Sequence, residues 1–114
     1  MIAVLFELEP LPGQGQHYFA QAAALQEALA GQEGLVSIER FESLARPGRY
    51  LSLSLWRDEA AVAGWRQQMS HRASQRLGRE QLFAHYRLRV AQVLRDYGLH
   101  DREQAPQDSR HALG

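Results

Sequence analysis

Cysteine is absent from the 114-residue chain. That removes disulfides, thiolate nucleophiles and Cys-ligated metals together, and it fits a reducing compartment, the cytoplasm. Lysine is absent too: all 13 basic side chains are arginine, a bias that a GC-rich genome produces without selection for chemistry. They balance 13 carboxylates, so no global field recruits nucleic acid or an anionic membrane, and neither is expected as a partner. Asparagine occurs nowhere in the chain. Long apolar runs are also missing, because Ile2 to Leu8 is interrupted by Glu7, lacks a basic leader and is too short to span a bilayer. His17, His71, His85, His100 and His111 form no HxxxH or HxH pair, so no metal site is expected. The Gly13 to Gly15 run, GQG, falls short of a phosphate-cradling glycine loop.

What is present centres on Arg49 to Glu80. Leu51, Leu53 and Leu55 alternate with Tyr50, Ser52, Ser54 and Trp56, the period of a strand with a leucine face and an aromatic and hydroxyl face. Asp58 then offers a carboxylate to the first free N–H groups of a helix, on which Val62, Trp65 and Met69 recur at three and four residues. Ser70 reads as a new N-cap for a second short helical segment ending at Gly78.

Before this stretch, Ile2 to Glu9 alternates as a strand, with Ile2, Val4, Phe6 and Leu8 on one face. Proline and glycine from Pro10 to Gly15 make a loop, and Gln16 to Ala30 is a helix with Tyr18, Ala22, Leu25 and Leu29 along one side, ended by Gly31. Leu35 to Leu44 is a strand with Val36, Ile38 and Leu44 on one face, joined through Ala45 to Gly48 as a hairpin. Phe83 to Tyr97 is the last strand, and residues 98–114 have no apolar period, a tail expected to be disordered or to lean on a partner. The order is the α+β, ferredoxin-like βαββαβ unit over residues 1–97. Its sheet carries apolar groups on both faces, Leu5 among them, and a homodimer is the simplest cover for the face without helices.

The run LSLSLWRDEAAVAGWR, followed by HRASQRLGRE and YRLRVAQVLRDYG, resembles the antibiotic biosynthesis monooxygenase domain family, whose members are dimeric α+β barrels. Within that family are cofactor-independent oxygenases of anthrone-type polyketides and haem-degrading monooxygenases. Both kinds use an Asn beside a Trp, and that role is vacant here. Trp65 matches the family's helix tryptophan, but the haem degraders carry their iron-ligating His about three turns farther on. His71 follows Trp65 by six residues, a rotation of roughly 600° on a continuous helix.

The resemblance therefore implies a cofactor-independent monooxygenase for a small aromatic or quinol-type substrate. The alternatives are a non-catalytic dimer that binds a small apolar ligand and, less well supported, a haem degrader. An activated phenol that has lost a proton can reduce O₂ without metal or flavin, given an apolar slot, an aromatic wall and a group for the proton or the anion. Trp65, Phe6 and Tyr50 are the expected wall. His71 or His85 is the candidate base, and Tyr86 or an inward arginine the candidate oxyanion holder. The slot is expected between the sheet and the central helix, where a break at Ser70 leaves space.

Overall fold

The computed structural model describes residues 1–73 and 83–113, and the side chains of 1–68 and 83–110. Strands β1 (Ile2–Pro10), β2 (Leu35–Glu42), β3 (Tyr50–Trp56) and β4 (Phe83–Gln92) pair antiparallel in the order β2-β3-β1-β4. Helices α1 (Gly15–Leu29) and α2 (Glu59–Ala73) separate them in the chain. This is the ferredoxin-like βαββαβ arrangement, and no described helix is long and apolar enough to cross a membrane.

Strand parity decides the two faces. Ile2, Val4, Phe6 and Leu8 of β1 stand opposite Trp56, Ser54, Ser52 and Tyr50 of β3, and opposite Gln92, Val90, Leu88 and Tyr86 of β4. This face carries the helices: Leu29 of α1, Val62 of α2 and Trp56 of β3 form the buried cluster, with Leu25, Ile38 and Trp65 packed against it. The leucine stripe of β3 thus points away from the helices. Turning Trp56 inward buries more apolar area than a leucine would, and its Nε1–H is satisfied by Ser54 Oγ at 2.9 Å, so the buried hydroxyl is not an unpaired cost. The opposite face holds Leu5, Leu51, Leu53 and Leu55, each only partly buried, with Phe41 exposed. Two ion pairs lie beside them, Arg89–Glu7 at 3.2 Å and Arg49–Glu9 at 3.7 Å.

Asp58 caps α2. Its Oδ1 accepts the Ala61 N–H at 2.9 Å and its backbone carbonyl accepts that of Val62 at 3.4 Å. The Ala61 N–H, together with the Arg57 guanidinium, holds the Asp58 carboxyl below its ordinary range. The expected break at Ser70 does not occur, since α2 continues to Ala73. One serine among alanine, glutamine, methionine and arginine costs a helix too little to end it. Gly78 lies outside the described residues. Gly31, at φ +79°, follows α1 in the left-handed conformation expected of a helix stop.

β2 differs from simple alternation. Leu35 pairs with Trp56 and Ser37 with Leu55, which leaves Val36 as an extra, bulged residue. Leu35 and Ile38 therefore share the core face, whereas Val36 is exposed, and Leu44 lies beyond the strand with its side chain in solvent. β4 ends at Gln92, before the expected Tyr97, and Val93 N–H bonds the Met1 carbonyl. The segment beyond turns on itself. Asp96 N–H donates to Gln104 Oε1, the Arg102 guanidinium lies over the Tyr97 ring at 5.3 Å, and Ala105 is buried ahead of the short helix α3 (Gln107–Leu113).

Candidate active site

The register lays the helix-side face out as rows running across all four strands. One reads Leu88, Phe6, Ser52, Arg40 from β4 to β2, and its neighbour reads Tyr86, Leu8, Tyr50, Glu42. Leu8 is almost fully buried, because Tyr18 of α1, itself 6% exposed, closes that end. The Tyr18 ring lies 5.6 Å from Tyr50 and 6.2 Å from Phe83, and Phe19 meets Tyr50 edge-on at 5.2 Å. Phe83 and Tyr86 in turn lie 5.9 and 5.8 Å from Phe6. Six aromatic rings thus make one continuous wall.

Phe83 joins that wall through a register shift. Glu9 pairs with His85 but Pro10 with Phe83, so β4 carries an extra residue at Ala84. Strict alternation would have placed Phe83 beside His85 on the opposite face. The shift brings it under Tyr18 instead.

On the β4 side the face is open. Tyr86, Leu88 and Val90 are 62%, 54% and 49% exposed although they share the helix-side face with buried Leu8 and Trp56. Next to the aromatic wall this leaves a partly exposed apolar strip, or slot, along Phe6, Leu88, Val4 and Val90. Its far end is polar: Ser52 Oγ has no protein partner among the described residues, and Arg40 follows it on the edge strand. Burial pushes the Tyr18 phenol above its ordinary pKa, against a smaller opposing effect of the nearby Arg40 guanidinium. The phenol is therefore a neutral donor at physiological pH, not a base.

The expected site residues divide. Phe6, Tyr50 and Tyr86 belong to the one wall. Trp65 is outside that ring wall, stacked on Trp56 in the Ile2 row, roughly 13 Å along β1 from the Phe6 row at strand rise and next to the Val4 end of the slot. His85 lies on the opposite face, exposed and beside Glu9, so within one chain it does not face the slot. His71 is on α2, but its side chain lies outside the described residues; the unbroken helix puts its Cα roughly 600° of rotation beyond that of Trp65. Tyr18, Phe19, Phe83 and Arg40 were not singled out from sequence. Tyr18 carried a weak signal, as the one polar-tipped aromatic on an Ala/Leu helix stripe, and Arg40 carried another in sharing parity with Ile38.

A separate concavity of about 430 Å³ opens under the β2–β3 hairpin, lined by Glu7, Phe41, Arg46, Arg49 and Leu51 among others. Most of these belong to the face without helices or to the hairpin turn, although Glu42 and the slot's own Tyr50 also border this hollow. Among the described residues no group of His, Asp and Glu is arranged to hold a metal ion.

Residues 1–77 match the model of the family described as antibiotic biosynthesis monooxygenase. The jasmonate monooxygenase ABM of Pyricularia oryzae is 43% identical over 93 residues, covering 82% of this chain and 43% of that protein. The chain thus spans less than half the length of that curated relative. The haem degrader MhuD of Mycobacterium tuberculosis, with two haems in its active site, superposes with a TM-score of 0.68 at 16% identity, covering 86% of this chain and 100% of that one. PA3566 of Pseudomonas aeruginosa gives 0.69 at 16% identity, covering 82% and 93%. At such identities the structural likeness speaks for the fold.

Proposed function

Because the chain belongs to the antibiotic biosynthesis monooxygenase family, we propose that it is a cofactor-independent monooxygenase for a small aromatic or quinol-type substrate, working as a homodimer. The observation that carries this reading is the half-open slot, walled by Phe6, Phe83, Tyr86 and the Tyr18–Tyr50 pair, on the helix side of the sheet. Its chemistry suits a flat, electron-rich ring: apolar floor, edge-on aromatic contacts, and phenol and guanidinium donors at one end.

In an anthrone-type substrate the methylene next to the ring system loses a proton to give an electron-rich enolate. That anion transfers an electron to O₂, the two radicals combine at carbon, and the resulting peroxide anion takes up a proton equivalent to the one released. Loss of water from the hydroperoxide then leaves a carbonyl, so CH₂ and O₂ become C=O and H₂O. The protein's part is to bind the ring, exclude water and stabilise the oxyanion, for which Tyr18 and Arg40 supply donors.

Haem does not enter the proposal. Of the described imidazoles, His17 bonds Gln14 at 2.8 Å, His85 lies on the opposite face and His100 sits beyond β4, so none is aimed into the slot as an axial ligand. The family's Asn is missing as well.

The helix-free face supports the homodimer. Its centre is leucine, Glu7 and Glu9 are paired within the chain with Arg89 and Arg49, and a net charge of +0 imposes no repulsion between copies. Light scattering at micromolar concentration should give twice the chain mass, and Leu53→Glu at the centre of the face should yield monomer.

The deciding experiment follows O₂ consumption with anthrone, naphthohydroquinone and jasmonate, the last because it is named for the Pyricularia relative. Uptake above the uncatalysed rate, reduced in Phe6→Ala, is the expected result; no uptake with any of them overturns the catalytic reading and leaves a ligand-binding dimer. In the same assay Trp65→Phe and His71→Ala test whether either residue meets the substrate, through turnover and its pH profile.

A further inference from the structure

The Phe6 row changes character from one edge of the sheet to the other. Leu88 and Phe6 are apolar, Ser52 offers a hydroxyl, and Arg40 ends the row with a cation. Three interstrand spacings make the row roughly 14 Å long, about the length of a two- or three-ring molecule with one substituent. Among the described residues, Arg49, Arg57 and Arg89 have carboxylate partners and the other arginines have none; of those without one, Arg40 is the only arginine of a strand on the helix-side face. The nearest acid on its own face, Glu42, accepts the Gly48 N–H at 3.1 Å within the hairpin. The Arg40 charge is felt by the hydroxyl of Tyr18, which is itself part of the aromatic wall. A guanidinium near a neutral phenol keeps most of its donors for something else, and its planar fork matches a carboxylate.

We propose that the slot selects substrates bearing a carboxylate, which Arg40 binds with Ser52 beside it, while the ring system lies over Phe6 and Leu88 against the Tyr18–Tyr50 wall. This rests on reading the slot as the substrate site, and it extends that reading from a neutral aromatic to an aromatic or alicyclic acid. The arrangement orients as well as binds. An acid group fixed at the β2 edge holds the far end of the ring system over β4, where the slot is open and O₂ can approach.

The test compares β-naphthoate with its methyl ester, two redox-inert probes of nearly the same shape, by isothermal titration calorimetry on the full chain. The acid should bind the wild type about 10-fold or more tightly than the ester, as expected for a charge-assisted pair. Salt should erode that preference. Arg40→Gln should bring the two affinities together by weakening the acid alone, and Arg40→Lys should restore part of the difference. Because Arg40 is solvent-exposed, far-UV circular dichroism should show both variants folded. Equal or tighter binding of the ester to the wild type, no binding of either probe, or a preference that survives Arg40→Gln, overturns the proposal. The outcome is independent of turnover: O₂ uptake with anthrone and no acid preference sinks this inference alone, whereas an Arg40-dependent acid preference without O₂ uptake sinks the oxygenase reading alone.

Discussion

Trp65 of α2 stacks on Trp56 of β3, with ring centroids 6.4 Å apart and planes 28° from parallel. Trp56 is the most buried large side chain of the sheet, and Trp65 is half-buried over it, so the pair joins the helix to the core. Trp56→Ala should cost about 3–5 kcal/mol in urea unfolding, and Trp65→Ala less, about 2–3 kcal/mol, because part of its surface is already in water. Both should remove the coupled indole signal from near-UV circular dichroism. A Trp65→Ala variant with the wild-type unfolding midpoint would show that the stack contributes nothing to stability.

Gly34 leads into β2 at φ +83°, and a Cβ there would run into the Ala61 side chain of α2. Gly34→Ala combines backbone strain with that overlap and should destabilise by about 1–3 kcal/mol. The double variant Gly34→Ala, Ala61→Gly separates the two: it relieves the overlap but not the dihedral, so unfolding should report only partial recovery. Full recovery would mean the backbone conformation costs nothing.

The Tyr18 phenol is raised above its usual 10.0 by burial, which gives the alkaline limb of stability a defined sign. Above about pH 10 the unfolded chain ionises while the folded phenol still holds its proton, so the folded state binds more protons and loses stability as pH rises. Below that pH the contribution is fully present. Urea midpoints measured from pH 8 to pH 11, about the window in which unperturbed tyrosine titrates, should fall more steeply in the wild type than in Tyr18→Phe.

Asp58 has the opposite sign. Its carboxyl, ordinarily at 3.8, is lowered by the Ala61 N–H and by Arg57, so its stabilising effect is present above that value and is lost as pH falls through the folded-state pKa. Asp58→Ala should lower the melting temperature at neutral pH and flatten the acid limb. Asp58→Asn should keep most of the cap while also flattening the acid limb, since an amide oxygen accepts the same N–H without titrating.

His85→Ala should leave O₂ uptake unchanged, because the side chain lies across the sheet from the slot. A large fall in rate, with the dimer intact, would place it at a reacting centre after all.

Element order, the α1 stripe from Tyr18 to Leu29, the Asp58 cap and the alternation within each strand were all legible in the sequence. Each depends on local periodicity or on a hydrogen bond within one turn, and both are written in neighbouring residues. Tertiary structure alone decided three things. Parity shows that β3 has two faces but not which of them meets the helices; that was settled by how much surface Trp56 buries against Leu29 and Val62. The extra residues at Val36 and Ala84 shift the register of β2 and β4, and a bulge is a property of two paired strands, so neither strand shows it alone. The distance from Trp65 to Phe6 is the third. The expected wall joined residues from two ends of one sheet face, whereas the wall that formed drew on Tyr18 and Phe83, which lie far apart in the chain and meet only when α1 closes over the end of β4.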